Sequence, residues 1–182
     1  REIEGYPVSI LNYRLASWTH FTEPVAGKDW DAKEMRGLTF IFFPDGTLYR
    51  RYLHLQKFWN VNQTEETLYD NIKDLKIKNI HNKEDGSLAT FVELPNGKIV
   101  AKTKGAFYSE QAAVIQKIYD ENTNIKRLVD FCLKKQDIIP LFEYVSWKNK
   151  IVLSYGEDQL ILLRLRDNKT GHYISFDEFQ NR

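Results

Sequence analysis

The chain has 182 residues, 42% of them hydrophobic and 14% aromatic, enough to bury one core without staples. Its 26 basic and 25 acidic residues leave a net charge of +1, so there is no global field to announce a nucleic-acid partner, and any such partner must be met by a local patch. The lone Cys132 excludes a disulfide framework, and neither a signal peptide nor an apolar run of membrane-spanning length is present, so a soluble cytoplasmic protein is expected.

In chain order, residues 6–13 predict a strand that Pro7 limits to an edge or a strand start. Residues 18–34 read as a connecting loop. Arg36-Gly37 opens an apolar strand over 38–43, which turns at Pro44-Asp45-Gly46 and returns over 47–52 as a hairpin. Thr64, ahead of Glu65 and Glu66, is suited to cap a brief helix around Leu68 and Tyr69, and the lysine-rich stretch 73–78 reads as a solvated approach to a second hairpin. That hairpin runs over 88–94, Pro95-Asn96-Gly97 and 98–104. The period then changes: Ser109 is a plausible N-cap for a helix to about Asp120, and a second helix from Ile125 sets Leu128, Val129, Cys132 and Leu133 on one face. Cys132 therefore reads as a buried structural thiol. Strands over 138–145, 151–155 and 160–165, then 172–175, complete the pattern. Hairpins, a helical pair and a meander predict an α+β domain with mainly antiparallel sheet.

Lys83-Glu84-Asp85-Gly86-Ser87 stands at the threshold of the second hairpin, and Lys83 reads as a nucleophile. Deprotonating a lysine at pH 7 costs about 4.6 kcal/mol. An ammonium about 5 Å away at an effective dielectric of about 20 offsets roughly 3 kcal/mol of that, and the hairpin is expected to bring Lys102 and Lys104 toward Lys83 for this purpose. Lys102 and Lys104 alternate along the returning strand, either to bind phosphate or as solvated edge lysines. Glu143, between Phe142 and Tyr144 in an otherwise apolar strand, needs a buried cation or a ligand hydroxyl such as a ribose. Arg36 suits a ligand phosphate or a structural ion pair. Lys57 beside Trp59 offers a cation and a flat ring, though tryptophan is commonly core. The histidines, His20, His54, His81 and His172, show no metal-ligand spacing, and no Walker-type or Gly-x-Gly-x-x-Gly loop is present. A triphosphate would have to be held by side chains.

Taken together these residues resemble the covalent nucleotidyltransferases, the superfamily of ATP-dependent ligases and mRNA capping enzymes, and most closely its T-even phage RNA ligase family. Lys83-Glu84-Asp85-Gly86-Ser87 is similar to the nucleotidyl-lysine motif, Lys102-Thr103-Lys104-Gly105 with Ser109-Glu110-Gln111-Ala112 to the segment after it, and Phe142-Glu143-Tyr144-Val145 to the ribose-binding strand. Asn12-Tyr13, Arg36-Gly37 and Lys57-Phe58-Trp59-Asn60 fall where that family has its ATP-contacting tyrosine, arginine and lysine. The resemblance implies a nucleotidyltransferase fold and an ATP-dependent RNA ligase in which Lys83 becomes lysyl-AMP, AMP passes to an RNA 5′-phosphate, and an RNA 3′-hydroxyl displaces it. Tyr13, Arg36, Lys57, Trp59, Gly86, Lys104 and Glu143 would bind the nucleotide, with Arg36, Lys57 and Lys104 on its phosphates and Glu143 on its ribose. It also implies magnesium, RNA ends met mainly through phosphates, tRNA repair among the roles, a monomer, and host-cell cytoplasm if the chain is phage-encoded.

Two superfamily strands, one with a glutamate before glycine and one with a lysine pair, do not appear after Ser175, and the chain opens on Arg1. Residues 1–182 are therefore expected to be an adenylyltransferase domain, truncated at both ends and incomplete at its C-terminal end, weak in ATP binding and slow to adenylate. A capping-type guanylyltransferase and a non-catalytic nucleotide- or RNA-binding module are the alternative readings.

Overall fold

The computed structural model describes residues 1–14, 21, 31–147 and 156–182. The first sheet holds β1 (Glu2–Ile3), β2 (Tyr6–Asn12), β3 (Arg36–Phe42) and β4 (Leu48–Tyr52), in that spatial order. The second holds β5 (Ser87–Glu93), β6 (Ile99–Thr103), β7 (Ile138–Val145), β8 (Gln159–Asp167) and β9 (Tyr173–Ile174), in the order β6-β5-β7-β8-β9. Every pairing among the described residues is antiparallel, as the mixture of hairpins and meander predicts. The α-helices among them are α1 (Tyr69–Ile72), α2 (Glu110–Glu121), α3 (Thr123–Asp130) and α4 (Phe176–Gln180). The strand expected over 151–155 and most of the 18–34 loop lie outside the described residues.

Local chemistry accounts for the boundaries. Ser109 caps α2 by accepting the Ala112 N–H at 3.1 Å. Asn122 closes α2 and opens α3, its side-chain oxygen accepting from the N–H groups of Asn124 and Ile125, so the second helix starts at Thr123, two residues before Ile125. It continues as a π-helical turn over Phe131–Gln136 that ends where Asp137 turns left-handed. The helical pair lays Ile115, Tyr119, Val129 and Leu133 against Phe91, Leu141 and Phe142 in one core. Cys132 sits in a smaller cluster with Ile138, Leu165 and Ile174, and burial pushes its thiol up to about 12, consistent with a structural role.

Polar side chains bind the two sheets. The Tyr52 hydroxyl donates to the Glu93 carbonyl at 2.6 Å, and Arg50 reaches Glu93 at 3.2 Å and the Leu133 carbonyl at 3.1 Å. Just past β4, the Leu53 N–H donates to Asn168 Oδ1 at 3.0 Å while Asn168 Nδ2 donates to the Arg51 carbonyl at 2.7 Å. Arg166, 2% exposed, donates to Glu34 at 2.8 Å, to the His54 carbonyl at 2.6 Å and to the Gly171 carbonyl at 2.8 Å. These buried bonds join β8 to the segments that flank β3 and β4.

Candidate active site

One end of the site lies where β5 meets β7. Leu88 pairs with Glu143 and Ser87 with Tyr144, which carries the preceding Asp85 and Gly86 onto the β7 backbone. Gly86 is obligatory there, because a Cβ would stand 2.1 Å from the Tyr144 carbonyl oxygen. Its N–H hydrogen-bonds the Glu143 carboxylate. Burial raises the Glu143 pKa, opposed by that N–H and by the charges of Lys83 and Arg36, while the buried Asp85 raises it further. Lys83 itself is exposed, in the irregular segment just ahead of β5. Lys83, Arg36 and Glu143 thus share one electrostatic neighbourhood.

The other end is built around a β-bulge. Asn12 pairs with Arg36 and Leu11 with Leu38, leaving Gly37 as the extra residue, at φ +93°. A Cβ on Gly37 would lie 2.5 Å from the Lys104 carbonyl oxygen, so the bulge brings β3 against the end of β6. Arg36 stacks its guanidinium 5.3 Å from the Phe58 ring centroid and donates to the Gln56 carbonyl at 3.4 Å. Lys104 lies 5.8 Å from the Tyr13 ring and Lys57 lies 4.4 Å from the Trp59 ring. Phe21 bridges the two aromatics edge-on, 5.0 Å from Tyr13 and 5.2 Å from Trp59. Burial lowers the pKa of Lys104, helped by Arg36, and lowers that of Lys57, helped by Arg36 and Lys104. Tyr13, Arg36, Lys57, Trp59 and Lys104 are therefore gathered on one wall.

Lys102 corrects the expectation that it would stand beside Lys83 with Lys104. It is fully buried, donating to the carbonyls of Gly37 at 3.2 Å and Lys104 at 3.5 Å, and burial lowers its pKa to about 7. The convergence of like charge falls instead on the bulge, where Lys102, Arg36, Lys104 and Arg166 surround His54. His54 is 1% exposed, and burial followed by those four cations holds its pKa well below the usual value. Its Nδ1 accepts the Leu55 N–H at 2.8 Å, which fixes a neutral ring. Sequence reasoning assigns His54 nothing. The flanking Leu53 and Leu55 are the one local sign of its burial.

Two clefts open elsewhere. One, of about 420 Å³, lies beside β2 and includes Asn12, Arg14, Gly105 and Tyr108. The other, of about 630 Å³, runs along α3 and the π-helical turn from Asp120 to Lys135. Neither is lined by Lys83 or Glu143, so charge and hydrogen bonding, not cavity size, mark the candidate site. Magnesium meets no group of three or more His, Cys, Asp or Glu side chains fit to hold it among the described residues. No helix among them is long and apolar enough to cross a membrane.

The sequence has known counterparts. A family model described as RNA ligase matches residues 34–181. The "Putative RNA ligase" of Thermovibrio ammonificans is 29% identical over 171 residues, covering 94% of this chain and 42% of its own length, so the chain spans about two fifths of that curated relative. Two solved archaeal ATP-dependent RNA ligase structures, form 2 and form 1, are each 15% identical. Their TM-scores are 0.47 and 0.49, covering 84% and 82% of this chain and 38% and 42% of theirs.

Proposed function

This chain belongs to the T4-type RNA ligase family, and on that premise we propose that residues 1–182 form the nucleotide-binding, adenylyltransferase part of an ATP-dependent RNA ligase. The observation that carries the reading is the junction of β5 and β7, where Gly86 ties the Lys83 segment to Glu143 within reach of Arg36. A nucleotide laid across it would meet a lysine nucleophile at its α-phosphate and a carboxylate at its ribose. Its phosphates would point toward the cations beside the bulge.

In the proposed first step, deprotonated Lys83 Nζ attacks the α-phosphorus of ATP. An N–P bond forms, the bond from that phosphorus to the bridging oxygen breaks, and pyrophosphate leaves with the electron pair. Arg36, Lys57 and Lys104 balance the charge that develops on the phosphate oxygens, in a setting where burial strengthens each interaction. Glu143 holds the ribose, and Tyr13 and Trp59 supply the aromatic faces that place the nucleotide. The AMP is then transferred to an RNA 5′-phosphate, and an RNA 3′-hydroxyl displaces it to seal the strand. RNA is engaged mainly through its phosphates, consistent with local cations on a chain of net charge +1.

Incubating the full protein with α-labelled ATP and GTP in separate reactions tests the assignment. Covalent label from ATP, absent in Lys83→Ala, is expected. Label from GTP alone would favour guanylyl transfer, and no label from either nucleotide would remove the enzymatic reading.

A further inference from the structure

Lys102 has no part in the proposed chemistry, yet it is the most completely buried cation among the described residues, with 0% exposure. Desolvating an ammonium is costly, and a hydrophobic side chain in its place would avoid that cost. No carboxylate pairs with it among the described residues. Its Nζ instead donates to the carbonyls of Gly37 and Lys104 and lies 6.0 Å from the Phe107 ring. Those carbonyls belong to the two segments that present the proposed phosphate cations: Gly37 follows Arg36 at the bulge, and Lys104 directly follows β6. Thr39 also donates to the Gly37 carbonyl, at 2.9 Å, so the bulge oxygen is gripped from both sheets. The groups that meet the Lys102 Nζ are the Gly37 and Lys104 carbonyls and the Phe107 ring, and its charge also acts on the neutral His54.

We propose that Lys102 is a positioning residue, a buried cross-link between the Gly37 and Lys104 carbonyls that holds Arg36 and Lys104 at the spacing a nucleotide's phosphates require. The proposal rests on the ligase reading for its catalytic consequence. Its geometry does not depend on that reading. A side chain of similar length without the two N–H bonds fills the volume but lets the strand end and the bulge drift apart.

The test compares the full protein with Lys102→Met and Lys102→Gln. Lys102→Met is expected to fold, by circular dichroism and thermal melting, while the KM for ATP in Lys83 labelling rises about tenfold. Lys102→Gln, which keeps an N–H donor, should recover part of that loss. Amide exchange at Lys104, whose N–H donates to the Leu88 carbonyl at 3.1 Å, should accelerate in the Met variant and less so in the Gln variant. A folded Met variant with wild-type KM, or with unchanged exchange at Lys104, would overturn the proposal. A wild-type protein that takes no label from ATP would count against the ligase reading alone, because the exchange comparison still decides whether Lys102 holds the strand end.

Discussion

A methyl group on residue 86 would fall 2.1 Å from one backbone oxygen and 3.1 Å from Val145 Cγ1, so little nearby can yield. Gly86→Ala is expected to cost about 1–3 kcal/mol of stability, the usual range for overpacking. It should also lift the Lys83 segment off β7, so that labelling from α-labelled ATP drops at least tenfold; a stable Ala variant that labels normally would refute this placement. Lys102 carries a pH signature. Its folded pKa of about 7 lies below the unfolded lysine value of roughly 10.4, so between the two the unfolded chain binds more protons and stability rises with pH. The slope is at most about 1.4 kcal/mol per pH unit. Denaturant unfolding between about pH 7 and pH 10 should show this rise in the wild type and a flatter curve in Lys102→Met, whereas parallel curves would contradict it. The period-two spacing of Lys102 and Lys104 predicts one side of a strand, whereas β6 ends at Thr103 and Lys104 lies just past it. Which of them is buried depends on Gly37, 65 residues earlier, and no local pattern encodes that.

Elements bounded by their own neighbours are legible in the sequence. Both hairpins form where Pro44-Asp45-Gly46 and Pro95-Asn96-Gly97 predict them, and α2 starts after Ser109, because turn and cap chemistry is local. The second helix starts earlier than its apolar spacing predicts, because Asn122 caps it and apolar spacing does not register a cap. Asn122→Ala is expected to cost about 1 kcal/mol in thermal unfolding with little change in Lys83 labelling, since α3 carries none of the candidate site residues; a neutral substitution would mean that packing alone sets the helix start. The bulge is not legible even though Arg36-Gly37 stands out, since a glycine at a strand start has several readings. Gly37→Ala forces a Cβ into positive φ and toward the Lys104 carbonyl. It should remove the bulge's close approach to β6 and weaken ATP binding, measured by titration, more than it lowers the melting temperature. An effect on melting alone would argue that the bulge is only structural.

For the molecule as a whole, the α+β character and antiparallel pairing follow from the order of elements, and residue types single out the candidate site, but the bonds that hold the sheets together are not legible. Arg166 and Asn168 flank a turn and look ordinary in sequence. Yet Arg166 reaches Glu34 across 132 residues and Asn168 reaches Leu53 across 115. Removing one partner of a buried ion pair leaves the other uncompensated, so Arg166→Met is expected to cost about 3–5 kcal/mol and to lose Lys83 labelling as the fold weakens. A variant as stable as the wild type would show that Glu34 finds another partner. The span of these bonds also bears on how the protein is made. A ribosome releases the Lys83 segment long before β8, so the nascent chain carries the candidate nucleotide-binding residues before Arg166 and Asn168 can join β8 to the segments that flank β3 and β4. The site should therefore be among the last parts to assemble, at the slow pace of long-range antiparallel pairing, and a nascent chain stalled before Arg166 should take up no nucleotide.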